Sequence, residues 1–390
     1  MGSLKWEVSA LGFGCMRLPP RKLNRLRAET DKSIELIRYG IDLGINYIDT
    51  AWPYHLGDSE KILGKALKDG YREQVHLVTK LPMFIITNPN QFDSYLKTQM
   101  KRLQTDHIDA YLFHALNQGQ FNKIKKLGLI NKMENAKKEG LIDNIGFSFH
   151  DTLPVFKEII DYYAWDITQI QYNYMDTSVQ ATSEGLSYAA SKGIAVVVME
   201  PLKGGTLVNP PREALSIMNS ADRRRTPADW ALQFLWNKPE VSVVISGMNS
   251  KKMIQENCES ADNSGVNSLT KSEIDIINKL TEEFRKKIAV PCTACSYCMP
   301  CPQGVNIPQN FACLNNVKLE KSRFRRIMTR RTYRKLENKK AKVSHTNPNG
   351  NAKLCNKCGV CVTKCPQKIE IPKELEKVNK EFANRKAILW

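Results

Sequence analysis

The sequence predicts an α/β protein: a (β/α)8 barrel followed by a small, mainly α-helical, cysteine-rich domain. Three observations carry that prediction. At 390 residues, the chain is longer than one ordinary core needs. Its first two thirds alternate eight short apolar runs with stretches of helical periodicity. Eight of its eleven cysteines fall in two tight clusters near the C-terminus.

The candidate strands are 10–13, 46–48, 75–79, 108–113, 142–147, 167–171, 194–198 and 241–245. Helical patterns lie between them at 31–43, 59–67, 90–103, 123–138, 179–192 and 227–237. Eight strand–helix repeats fit a closed barrel better than an open doubly wound sheet. Gly44, Gly140 and Gly193 each follow a helix and precede a strand, where a C-terminal cap takes positive φ. Gly12-Phe13-Gly14 is followed by Cys15 and does not continue a G-x-G-x-x-G fingerprint. A further helical pattern, 271–287, leads to the cysteines. A boundary near Ala289 therefore separates a barrel with trailing helix, 1–288, from a second domain, 289–390.

Composition limits the function classes. The chain is 42% hydrophobic and 25% charged, and its apolar runs, such as 194–199, are far shorter than a membrane span. No secretory signal is readable at the N-terminus, and a cytoplasmic protein without a membrane partner is expected. The formal charge is +18, but 318–342 alone holds twelve Lys/Arg and two acids, net +10. A local basic run of this kind is a solvated face or a docking surface for an acidic protein more often than a nucleic-acid site.

Three segments place ionisable groups directly after apolar strands: YIDTAWPYHLGDSE, VTKLP and YLFHALN. In a barrel this is the catalytic rim. Asp49 follows the second strand with Tyr54 in its loop; Lys80 ends the third and His114 the fourth. Alone, each is ordinary: an Asp caps helices and a Lys sits on surfaces. Together they make chemical sense. Carbonyl reduction by hydride needs a proton donor at oxygen, and a phenol is too weak an acid at neutral pH. A neighbouring ammonium lowers its pKa, an aspartate holds that ammonium, and an imidazole contacts the substrate oxygen.

At these residues the chain resembles the aldo-keto reductase superfamily, from about Val8 to Asn257. The resemblance implies Tyr54 as proton donor, Asp49 and Lys80 as its tuners, and His114 as the substrate-orienting group. It implies a small carbonyl or alcohol substrate and NADP or NAD bound across the barrel mouth. Ser148 in GFS and Gln169 in TQIQYN match nicotinamide-side contacts, with Phe149 where many members carry Asn. Met199 aligns with the aromatic that often stacks on nicotinamide. In SGMNSKKMIQEN, Gly247, Lys251, Glu256 and Asn257 fall on the adenine-side loop and helix, with Lys251 or Lys252 as the basic candidate for a 2′-phosphate.

The cysteine runs are Cys292, Cys295, Cys298, Cys301 and Cys355, Cys358, Cys361, Cys365, each ending in Cys-Pro. The second has the C-x2-C-x2-C-x3-C-P spacing of bacterial [4Fe–4S] ferredoxins, and the first is one residue shorter. In such runs three cysteines wrap one cubane while the fourth reaches the other. Two [4Fe–4S] clusters are expected, one on Cys292, Cys295, Cys298 and Cys365, the other on Cys355, Cys358, Cys361 and Cys301. Zinc sites favour separated C-x2-C pairs instead. Cys15, Cys258 and Cys313 are expected to be packed residues. The phrases CSYCMPCPQGVNIP and CGVCVTKCPQKIEIP, with GFGCMRLP, resemble the superfamily branch that carries such an α-helical ferredoxin-like domain.

A nicotinamide carries two electrons as hydride and a [4Fe–4S] centre accepts one. The leading expectation is a carbonyl reductase or alcohol dehydrogenase with clusters that sense, staple or cover. The alternative is an electron-transfer enzyme, with or without a flavin, that passes electrons to a ferredoxin-like partner. A loop at 200–225 with Lys203, Arg212 and Arg223–Arg225 suits an anionic or sugar-like substrate, or simply a solvated surface.

Overall fold

The computed structural model describes residues 1–21, 24, 26–319, 323–336 and 350–383, with 323–325 described by backbone only. Lys321, Lys339, Lys340 and Lys342 of the basic run lie outside the described residues. The chain divides into two compact units: 1–201 with 228–270, and 202–227 with 271–390.

The first unit is a closed, all-parallel barrel in sequential strand order. Its strands are β1 Leu11–Gly14, β2 Tyr47–Asp49, β3 His76–Leu81, β4 Ile108–Leu116, β5 Ile142–Phe149, β6 Ile167–Gln171, β7 Ala195–Met199 and β8 Val241–Ser246. β1 closes the ring by pairing with β8. The predicted strands are all present. β4 and β5 run on past their apolar stretches, through His114 and Ser148, because ladder hydrogen bonds continue where the side chains turn polar.

Apolar side chains fill the barrel: Tyr47, Val78, Leu112, Ile167, Val197 and Val243 form one buried cluster, with Met1, Leu4, Trp6 and Val8 packed against it. Trp6 stacks on His76 at the start of β3, 4.2 Å between ring centroids, which stoppers the N-terminal end. In such barrels functional groups sit at the opposite, C-terminal rim.

Gly44, Gly140 and Gly193 have φ of +95°, +72° and +76°. One helix predicted over 123–138 is instead two, Gln118–Leu127 and Leu129–Lys138. Gly128 between them takes φ 61° and its N–H closes the first helix on Ile124 O and Lys125 O. Apolar periodicity runs straight through such a break and cannot register it.

In the second unit the helix Lys271–Lys287 packs with Arg212–Asn219, and Lys287 pairs with Glu213. Arg225, offered by the sequence as a possible anion contact, is buried against Glu273 at 2.9 Å. The helices Ile307–Leu319, Arg323–Lys335 and Ile371–Ala383 enclose a core of Val305, Phe311, Leu314, Tyr333, Ile371 and Leu375, which Cys298, Cys301 and Cys361 join. A parallel bridge between Val305 and Gly350 ties the two cysteine runs together. Among the described residues, no helix is long and apolar enough to cross a membrane.

Candidate active site and cysteine cavities

Asp49 ends β2 and Lys80 lies one residue before the end of β3, in register: Asp49 pairs with Val78, two residues before Lys80. Residues two apart share a strand face, so Lys80 points inward one layer nearer the rim. Its ammonium donates to Asp49 Oδ1 at 2.8 Å and Oδ2 at 2.7 Å, and to Thr50 O at 2.9 Å. Lys80 has no exposure at all and Asp49 is 4% exposed. Burial pushes the lysine pKa down, and the charge and hydrogen bonds of Asp49 oppose it. Tyr54 begins a short 3-10 turn after β2. Its ring centroid lies 5.2 Å from Lys80 Nζ and 6.0 Å from the His114 ring, edge-on. Burial, then the Lys80 charge, then His150, hold the His114 pKa well below its ordinary value, so the imidazole is neutral. Tyr54, Lys80, Asp49 and His114 are thus brought to one place.

A second layer holds this one. Ser59 Oγ donates to Cys15 O at 3.0 Å and therefore accepts from Thr50 Oγ1 at 2.8 Å, which steadies the carbonyl that Lys80 uses. Glu60 is fully buried and its carboxylate accepts from Thr79 Oγ1 at 2.9 Å, Gln99 Nε2 at 2.5 Å and Arg102 Nη1 at 3.0 Å. Gln99 also donates to Lys80 O at 3.1 Å. No motif in the sequence marks Gln99 or Arg102. A signal existed for Gln99: it sits in the buried stripe Phe92, Leu96, Gln99, Leu103, where a polar residue needs partners.

The expected nucleotide contacts divide into two groups. Ser148 of β5 and Gln169 of β6 are paired across the two strands. Ser148 Oγ accepts from Ala115 N at 2.7 Å, and Gln169 Nε2 donates to Asp49 Oδ2 at 2.9 Å, so both join the tetrad's layer. Met199 ends β7 and is half-buried. The other group lies after β8. Gly247 is exposed. Lys251 is paired with Glu35 at 2.6 Å. Glu256 is 3.6 Å from Lys252, and buried Asn257 donates to Ser246 Oγ at 3.2 Å.

The cysteines line two small cavities. One is bounded by Cys301, Cys355, Cys358 and Cys361, with Ile307 and Leu375. The other is bounded by Cys292, Cys295, Cys298 and Cys365, with Ile307 and Phe311. Each therefore takes three cysteines from one run and the Cys-Pro cysteine from the other. Four thiols around an apolar-walled space suit a thiolate-ligated cubane. Cys358 alone of the eight is exposed. Cys15 and Cys313 are buried packing residues and Cys258 is half-buried, as expected of them.

Residues 10–282 match the model of the Aldo/keto reductase family, and residues 291–370 match that of the 4Fe-4S dicluster domain. An uncharacterized oxidoreductase of Bacillus subtilis, YqkF, is 26% identical over 321 residues, covering 73% of this chain and 96% of its own. The aldo-keto reductase AKR11C1 of Bacillus halodurans superposes with a TM-score of 0.59 at 27% identity, over 72% of this chain and 94% of that one. An aldo-keto reductase of Klebsiella pneumoniae in complex with NADPH shares the fold, TM-score 0.59 at 23% identity, over 70% and 91%.

Proposed function

This chain belongs to the aldo/keto reductase family of NAD(P)-dependent oxidoreductases, and we propose that its barrel interconverts a carbonyl compound and an alcohol with Tyr54 as the proton donor. The observation that carries this reading is the ammonium of Lys80, fastened to both oxygens of Asp49 and 5.2 Å from the Tyr54 ring centroid. A bound NADPH or NADH supplies the hydride. The chain supplies the proton. As the carbonyl oxygen gains charge, the Tyr54 O–H bond breaks and the proton passes to that oxygen. Lys80 stabilises the phenolate left behind, and Asp49 keeps Lys80 charged in spite of its burial. Neutral His114 orients the carbonyl oxygen.

The donor set suits a nicotinamide. Ser148 Oγ already accepts from Ala115 N, which leaves its own hydrogen to donate outward. Gln169 is held beside it, and Met199 offers an apolar side chain at the next strand end. Gly247, Lys251, Glu256 and Asn257 remain the candidates for the adenine half. Lys251 would exchange Glu35 for a 2′-phosphate if NADP is preferred. The two cysteine sets would each hold one [4Fe–4S] cluster, which supplies one-electron chemistry.

Anaerobic protein assayed with NADPH and NADH against a carbonyl panel tests the reading. Turnover should fall by at least ~100-fold in Tyr54→Phe while iron and visible spectrum stay unchanged. Full turnover in that variant would refute it.

A second reading, electron exchange with an acidic protein, draws on the surface around Cys358. Lys353, Lys357, Lys364 and Lys368 are exposed near that exposed cysteine. Bleaching by a reduced acidic ferredoxin at a rate that falls steeply with salt would support it. A salt-independent rate would count against it.

A further inference from the structure

We propose that His55 is a positioning residue: its imidazole anchors the Tyr54 turn to the segment that follows β1, and so holds the phenol beside the Lys80 ammonium. The inference rests on the proton-donor role proposed for Tyr54.

Three members of the tetrad are fixed by the barrel's own ladder. Asp49 belongs to β2, Lys80 to β3 and His114 to β4. Tyr54 does not: it opens the turn Tyr54–Gly57, beyond the end of β2. The backbone of that turn is unusual. His55 takes φ 53° and ψ 39°, Leu56 takes φ 56° and ψ 36°, and Gly57 follows at φ 84°. Residues with a Cβ rarely enter this left-handed region, least of all two in succession. Such a run persists where neighbouring contacts impose it. Tyr54 is joined directly to it, so the phenol is only as well placed as the turn.

The imidazole of His55 supplies the imposing contact. Leu18 N–H donates to its Nε2 at 3.2 Å, across 37 positions of chain. A ring nitrogen that accepts carries no hydrogen, so this is the Nδ1–H tautomer. The Met16 carbonyl hydrogen-bonds the same ring. Burial pushes the His55 pKa down, against the Asp58 charge and that carbonyl, so the ring stays neutral and keeps its acceptor. Met16 lies in, and Leu18 directly after, the short 3-10 turn Cys15–Arg17 that follows β1. That turn is itself fixed. Ser59 Oγ donates to Cys15 O at 3.0 Å, and the buried Cys15 side chain feels the charges of both Asp49 and Lys80. The segment that receives His55 thus lies beside the Asp49–Lys80 pair. His55 connects the turn of the proton donor to the frame that holds its activating ammonium. The 5.2 Å between Lys80 Nζ and the Tyr54 ring centroid depends on that connection.

The test separates the backbone from the anchor. His55→Asn suits the left-handed conformation, but its amide stops short of the place Nε2 holds. His55→Gln reaches that place with an accepting amide oxygen. The holoprotein is assayed on the panel carbonyl that wild type reduces fastest. His55→Asn should lose at least ~10-fold in kcat, because a small displacement of a reacting group is costly. Its KM, and its nucleotide affinity read by NADPH or NADH fluorescence, should change by less than ~2-fold. His55→Gln should stay within ~3-fold of wild type. In a Tyr54→Phe background, His55→Asn should cost less than ~2-fold more, since it acts through the phenol. Wild-type kcat in His55→Asn, equal losses in both variants, or an undiminished loss in the Tyr54→Phe background overturns the inference and leaves the proton-donor role standing. Full turnover in Tyr54→Phe alone refutes that role, and this inference with it.

Discussion

The Lys80 ammonium touches both carboxylate oxygens of Asp49, at 2.8 and 2.7 Å, across the β2–β3 pair. Burial works against that charge and the aspartate upholds it. Asp49→Asn removes the opposing influence, so the lysine pKa falls further and the charged form of Lys80 is disfavoured. The expected result is a kcat loss of about 100-fold or more with little change in KM. Lys80→Met should cost as much, and the double variant little more than either. Additive losses, read by steady-state kinetics, would show that the two do not act as a unit.

Arg102 is the charged partner of fully buried Glu60 at 3.0 Å, and its guanidinium stacks over Trp52 at 3.6 Å. Arg102→Met strands a carboxylate in the interior and should cost about 3–5 kcal/mol. Urea unfolding monitored by tryptophan fluorescence measures it. Arg102→Met with Glu60→Gln should recover part of the loss, because the charge goes too.

Cluster ligation can be read from iron content. If each cavity holds one cluster, converting Cys301, Cys355, Cys358 and Cys361 together to Ala empties a single cavity. About half the iron should remain, still as a [4Fe–4S] spectrum. Loss of all iron would mean that each run serves its own cluster.

Acid should weaken the barrel through its rim histidines. His114 is held well below its ordinary pKa and His150 near about 4, against about 6.5 in an unfolded chain. The unfolded state therefore binds more protons between those values. The stabilisation is fully present above about 6.5 and is lost as pH falls toward about 4. Thermal midpoints of wild type and His150→Phe should diverge least at acid pH and most near neutrality. A gap independent of pH would contradict this.

Gly350 carries the bridge between the cysteine runs. Its N–H donates to Gly304 O at 2.9 Å, and an added Cβ would lie 2.8 Å from that oxygen and 2.3 Å from Leu354 Cδ1. Gly350→Ala must push backbone apart and should cost about 1–3 kcal/mol. Faster cluster bleaching under a chelator than in wild type is the expected sign.

Much of this protein was legible along the chain. Apolar runs set the eight strands, and the residues that end them, Asp49, Lys80 and His114, marked the rim, because a barrel places strand ends there whatever its loops do. Cysteine spacing announced the second domain and predicted which Cys-Pro cysteine shares a cavity with which triplet. The break at Gly128 left no mark on the periodicity. Arg102 looks like an ordinary surface-forming residue in sequence, and Gln99 stands out only as a polar residue in an apolar stripe. What each does depends on partners 12 to 42 positions away. Local sequence determines which groups are present and which face they occupy. Only closure of the barrel decides which donor meets which acceptor, because hydrogen-bond direction is settled by the whole network and not by any one residue.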